Sequence, residues 1–168
     1  LSIVRAYPSH PESAKSSSYS DTVTVDDTCD DDLKAFLVVA VDWSSAHGEY
    51  PRGNPQLNAE AARHYRRTGD TLNACLRYLF AEQCEEHARY VFDLASSGGY
   101  QSEQDLFLAR GVLQLLAVEN LRDAISFHDT FHMLARSNRK DGGRRSVLET
   151  PLGNFVHLLL DVCKRSKE

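Results

Sequence analysis

An all-α fold, a stack of antiparallel helix pairs, is what the sequence predicts, and three observations predict it. Apolar residues recur at intervals of three and four over most of the chain, helix start and stop signals punctuate it, and one pattern of small and aromatic residues occurs twice. About seven helices are expected and no strand. Alternation of β-branched residues is confined to Thr22-Val23-Thr24-Val25, and four such residues inside a polar stretch do not make a sheet.

Taken in chain order, Leu1 to Tyr7 has the apolar content of a helix end. The start, Leu-Ser-Ile-Val-Arg, has neither an initiator Met nor the apolar core of a signal peptide, so the chain is expected to begin inside a longer parent protein. Residues 8–32 run through Ser, Asp, Thr and Pro, too polar to bury a core, and are expected to form a disordered loop. The repeat domain is then expected over 33–168. It opens where Leu33, Phe36, Leu37, Ala40 and Val41 repeat at helical spacing behind Asp30, Asp31 and Asp32, whose charge suits a helix N-terminus. Trp43 is expected to pack this helix against the next.

Later helices announce themselves by their caps. Asn54-Pro55 and Thr150-Pro151 each place a capping side chain before a proline at the first helical position. Gly98-Gly99 stops one helix, and Ser102 with Asp105 three residues on resembles a capping box that starts another. In Ala62-x-x-Tyr65-x-x-x-Gly69-Asp70-x-x-x-Ala74-x-x-x-Tyr78-x-x-Ala81, small residues let two helices approach, tyrosines fill the groove and Gly-Asp turns the chain. This is the junction of a tetratricopeptide-like pair. A degenerate copy follows in Leu115-x-x-x-Glu119-Asn120-Leu121-x-x-Ala124-x-x-x-His128-x-x-Phe131. The expectation is a divergent tetratricopeptide-like α-solenoid. Its core stripes are expected to be Leu33/Phe36/Leu37/Ala40, Ala62/Tyr65, Ala74/Tyr78/Ala81, Leu106/Ala109/Leu113/Leu116 and Leu152/Phe155/Leu159/Val162.

Composition narrows the function. With 168 residues, 42% hydrophobic and 26% charged, the chain suffices for one domain or a length of solenoid. The densest apolar run, Phe155 to Val162, is broken by His157 and Asp161 and falls short of the roughly 20 residues of a membrane span. A net charge of −5 argues against phosphate-backbone binding, which rests on Lys and Arg, and favours protein partners. Cys29, Cys75, Cys84 and Cys163 lack metal-site spacing and are expected as reduced thiols.

Candidate chemistry is sparse. His128-Asp129-Thr130-Phe131-His132 sets two histidines on one helix face with an acid after the first, the outline of a zinc-dependent hydrolase. Asp stands where that chemistry uses the longer Glu, no third ligand has a motif, and nothing in the spacing ties His157 to the pair. His128 also fills the aromatic position of the repeat, so the histidines are read as packing residues, with the hydrolase as the alternative. Arg136, Arg139, Lys140, Arg144 and Arg145 surround Asp141-Gly142-Gly143, which has too few glycines for a phosphate loop and reads as a solvated connector. No Ser/His/Asp or Cys/His arrangement follows from spacing, and no catalytic residue, metal or cofactor is expected. Binding residues are instead sought on the helix flanks: Phe107, Arg110 and Gln114 beside one stripe, and His157, Leu160 and Asp161 beside another.

Six collinear pieces carry a resemblance: Trp43-Ser44-Ser45, Gly53-Asn54-Pro55-x-Leu57, Tyr78-Leu79, Tyr100-x-Ser102-Glu103-x-Asp105-Leu106-Phe107, Val112-Leu113-Gln114 and Pro151-Leu152-x-Asn154-Phe155. In wording and order they resemble the Golgi to ER traffic protein 4 family. The chain departs from that family's pattern at Asn58, where the family usually has His, and in the long Ser/Asp stretch. The resemblance implies a cytosolic, non-enzymatic scaffold in the targeting of tail-anchored proteins to the ER membrane. In such scaffolds N-terminal helices dock a targeting ATPase, and the C-terminal half holds a ubiquitin-like partner or a BAG-family chaperone. The helices for ATPase docking are expected to be missing here. A generic tetratricopeptide-like interaction module is the plainer alternative.

Overall fold

The computed structural model describes residues 25–98, 100–138 and 150–166. Among these, seven α-helices follow one another: α1 Val25–His47, α2 Pro55–Arg67, α3 Thr71–Tyr78, α4 Cys84–Ser97, α5 Gln104–Ala117, α6 Leu121–Ser137 and α7 Pro151–Arg165. A 3-10 turn, Gln101–Glu103, leads into α5, and no strand occurs among the described residues. Helix α2 packs on α3, α4 on α5 and α6, α5 on α6, and α7 on α5 and α6, giving the layered α-solenoid that the sequence predicts.

The first helix starts at Val25, earlier than the Leu33 expected from periodicity. Residues 30–36 are all exposed, and the added stretch, Val-Asp-Asp-Thr-Cys-Asp-Asp-Asp over 25–32, carries no apolar rhythm by which to be recognised. Residues 1–24, with the expected helix end and most of the expected loop, lie outside the described residues.

Four helix starts are capped by side chains. Gln56 N–H donates to Asn54 Oδ1 at 2.8 Å, Asn73 N–H to Asp70 Oδ1 at 3.2 Å, Asp123 N–H to Asn120 Oδ1 at 3.1 Å, and Gly153 N–H to Thr150 Oγ1 at 3.0 Å. Each satisfies an N–H that the first helical turn leaves without a partner. The expected capping box at Ser102 is displaced. Tyr100 N–H donates to the Glu103 carboxylate at 3.3 Å, Ser102 lies inside the 3-10 turn, and α5 begins at Gln104.

The repeat is present in three dimensions. Ala62, Tyr65, Ala74, Tyr78 and Ala81 are all buried where α2 and α3 meet. In the second copy Leu115, Leu121, Ala124, His128 and Phe131 are buried where α5 meets α6. Two cores result. A smaller one joins α1 to α4 around Leu37, Tyr65 and Tyr78, and a larger one joins α4 to α7 around Val91, Leu108, Val112, Phe127 and Phe131. His87 links them. Its ring stacks on Tyr78 at 5.4 Å and meets Phe127 edge-on at 4.9 Å. Gly111 lets α5 reach α6, since a Cβ there would come within 2.3 Å of the Phe127 ring.

Beside this link α2, α3 and α4 are tied by charge. Arg63 donates to both Glu86 carboxylate oxygens, its closest contact 2.9 Å, and Tyr78 Oη–H donates to Glu86 Oε1 at 3.0 Å. The hydrogen bonds from Arg63 hold Glu86 below the usual carboxylate range, and burial beside Glu86 pushes the Tyr78 phenol up to about 12.

Three expected stripes are rotated. On α1, Leu33 and Phe36 are exposed, and Leu37, Val41 and Ser44 face inward. On α5, Leu106 is 56% exposed and Leu113 also faces solvent, while Leu108, Ala109, Val112 and Leu115 form the core. On α7, Phe155 and Val162 are exposed and the buried line is Gly153, Val156 and Leu160. Helix α5 carries apolar residues around most of its circumference, and α7 has an apolar arc wider than the face it buries, so spacing alone fits more than one line and the neighbours in space select which is buried. Trp43, expected between helices, is 65% exposed and stacks on His47 of its own helix at 5.4 Å.

Candidate interaction surface

Helices α3 and α5 stand apart across α4 and leave an apolar groove of about 270 Å³. Thr71, Leu72 and Cys75 of α3 form one wall, Phe107, Arg110, Gly111 and Gln114 of α5 the other, and His87, Val91 and Leu94 of α4 the floor. The short turn through Gly69 and Asp70 fixes where α3 begins, and the 3-10 turn sets α5 over α4. Leu72 is 60% exposed at the rim, Phe107 is half-buried, and Arg110 is exposed with no ion pair among the described residues. Burial raises the Cys75 thiol pKa, which keeps it protonated and poorly nucleophilic.

Of the six flank residues named from sequence, three meet here: Phe107, Arg110 and Gln114. The other three do not join them. Leu160 is a correction, because at 1% exposure it belongs to the large core and offers nothing to a partner. His157 and Asp161 lie on α7, where their side chains approach to 3.6 Å. The α3 and α4 residues of the groove escaped sequence reading, since each looks like an ordinary position of its own helix and only the packing assembles them.

A second cleft, of about 430 Å³, opens between α6 and α7 and gathers His128, Asp129, His132, Met133, Arg136, Ser137 and His157. The structure thus brings His157 to the histidine pair that spacing could not connect it with. Ring centroids lie 4.3 Å apart for His128 and His132, and 5.6 Å apart for His128 and His157. His128 Nδ1 and Asp129 Oδ1 are 2.9 Å apart. Burial pushes His128 below the ordinary imidazole range although Asp129 acts the other way, and burial, with His128 and Arg136 nearby, holds His132 at about 4. Their Nε2 atoms are buried and have no hydrogen-bond partner among the described residues. Among the described residues no group of three or more His, Cys, Asp or Glu side chains is arranged to hold a metal ion. Of the basic connector only Arg136 is described; Arg139, Lys140, Arg144 and Arg145 lie outside the described residues.

Fold and groove together define a helical-repeat protein with a concave apolar surface between helices, the architecture of an α-solenoid. The chain belongs to the Golgi to ER traffic protein 4 family, whose model matches residues 3–168. It is 29% identical over 126 residues to the Golgi to ER traffic protein 4 homolog of Xenopus tropicalis, covering 75% of this chain and 37% of that protein. It is 27% identical over 138 residues to Protein GET4 of Arabidopsis thaliana, covering 80% and 41% respectively. The crystal structure of C. therm. Get4 superposes with a TM-score of 0.64 at 27% identity, covering 76% of this chain and 43% of that one. The chain therefore spans about two fifths of the length of these curated relatives. No helix among the described residues is long and apolar enough to cross a membrane.

Proposed function

We propose that this chain is the partner-holding part of a non-enzymatic, cytosolic scaffold in the post-translational targeting of tail-anchored proteins to the ER membrane. The partner it holds is a ubiquitin-like protein or a BAG-family chaperone. The observation that carries the reading is the family match over residues 3–168. The groove supplies the means, an apolar lining with one cation that has no ion pair among the described residues, which suits a protein partner's anchor residue. Partner contact falls to Phe107, Arg110 and Gln114, with His157 and Asp161 on a separate edge. Docking of the targeting ATPase is not assigned to this part.

Support for a scaffold rather than an enzyme comes from how the acidic groups are used. Asp70 caps a helix, Asp123 is bonded to Asn120 and Arg122, and Glu86 holds three helices together. These are structural duties. The test is co-purification of the parent-length protein with ubiquitin-like and BAG-family proteins. Recovery of one of them, weakened by Phe107→Ala, supports the reading, and recovery of neither removes it.

A further inference from the structure

We infer that the groove between α3 and α5 takes a short amphipathic helix of another protein, seated by an apolar side chain and carrying a carboxylate about one turn away that pairs with Arg110. The inference deepens the proposed function and rests on its reading of the groove as the partner surface.

Three features select this occupant. The first is chemical. Val91, Leu94 and Phe107 make an apolar seat, and Arg110 is the only Asp, Glu, Lys or Arg side chain on the lining, exposed and without an ion pair among the described residues. A partner's carboxylate there gains a charge-assisted contact that an aliphatic or cationic group cannot. The net charge of −5 does not steer acidic partners from afar, so discrimination is local, within the roughly 8 Å over which charges act at physiological salt.

The second is the backbone. Walls and floor are all helical, and apart from the first turn of α3 their N–H and C=O groups are paired within their own helices. An extended segment lying here would find no sheet edge to satisfy its main chain. A helix brings its backbone bonds already made. The third is length. The α5 wall runs from Phe107 to Gln114, about 10 Å at 1.5 Å per residue, which accommodates roughly two turns of a guest helix.

The probe is a matched pair of hydrocarbon-stapled helical peptides with the same apolar residues. One carries glutamate and the other lysine one turn from the anchor. Each is titrated against the full chain by fluorescence polarisation, and occupancy of the groove is read separately as protection of Cys75 from alkylation at alkaline pH, where part of this raised-pKa thiol is ionised and reacts in the free chain, located by peptide mapping. The glutamate peptide is expected to bind about three- to fivefold more tightly than the lysine peptide and to protect Cys75. Arg110→Glu, an exposed change, is expected to reverse that order, and Leu72→Asp at the rim to abolish binding of both. Equal affinities, an order that Arg110→Glu leaves unchanged, or binding without protection of Cys75 would each overturn the inference. So would equal protection by an unstapled, proline-substituted peptide of the same composition. If neither peptide engages while the parent-length protein still recovers its ubiquitin-like or BAG-family partner, the guest helix is wrong and the scaffold stands. If the peptides behave as expected and no such partner is recovered, the scaffold assignment falls and the groove chemistry stands.

Discussion

Gly69 and Glu119 occupy the same place in two helix-to-helix turns about fifty residues apart, both in left-handed backbone, with φ of +80° and +62°. The bonds around them match. Asp70 N–H donates to Tyr65 O at 2.9 Å, and Asn120 N–H to Leu115 O at 3.0 Å. The capping pair is exchanged between copies, Asp70 with Asn73 in one and Asn120 with Asp123 in the other. A side chain in the left-handed region costs roughly 1–2 kcal/mol, while glycine's added freedom in the unfolded chain costs about 0.5–1 kcal/mol. Glu119→Gly is therefore expected to stabilise by up to about 1 kcal/mol, and Gly69→Ala to destabilise by about 1 kcal/mol. Urea unfolding measures both, and a less stable Glu119→Gly would show the two turns to be unequal.

Tyr78 is buried at the α2/α3 junction with its hydroxyl on Glu86. Tyr78→Phe removes one hydrogen bond to a partly buried carboxylate that Arg63 still satisfies, an expected loss of about 1 kcal/mol. Tyr78→Asp leaves a charge and a void beside a second carboxylate, an expected loss of several kcal/mol. Equal effects of the two changes would remove the packing role of the ring.

Acid is expected to loosen the fold before the carboxylates titrate. Burial lowers the His87 pKa to about 4 from its ordinary 6.5. Above pH 6.5 the ring is neutral folded or unfolded and contributes nothing. Between 6.5 and about 4 only the unfolded chain takes up its proton, so stability falls with pH and then levels. At pH 5 the penalty from His87 is about 2 kcal/mol relative to pH 7.5. His132 adds a loss of the same sign. Below that window Glu86, whose pKa is depressed, begins to lose its contribution as it protonates. His87→Phe keeps an aromatic ring between Tyr78 and Phe127 and is expected to flatten the pH dependence by about one proton, read as urea midpoints from pH 7.5 to 5. An unchanged slope would remove His87 from the account.

Leu160 and Phe107 separate core from surface. Leu160→Ala opens a cavity in the large core and is expected to cost about 2–5 kcal/mol. Phe107→Ala, in a half-buried wall, is expected to cost less stability and to weaken partner capture. If Phe107→Ala unfolds the protein as Leu160→Ala does, Phe107 belongs to the core.

What the sequence determined by itself was local. The Gly69-Asp70 turn, the caps at Asn54 and Thr150, and the burial of Ala62, Tyr65, Ala74 and Tyr78 follow from backbone freedom, missing donors and helical spacing within one hairpin. The tertiary structure decided which faces of α5 and α7 are buried, because α5 is apolar on most sides and the apolar arc of α7 is wider than the face its neighbours cover. It moved Leu160 inward, left Phe155 outside, and brought His157 to His128. It also made the groove. Leu72, Val91 and Phe107 are far apart in the chain, and no spacing rule relates residues on three helices whose separation is set by side chains elsewhere, among them Gly111 against Phe127.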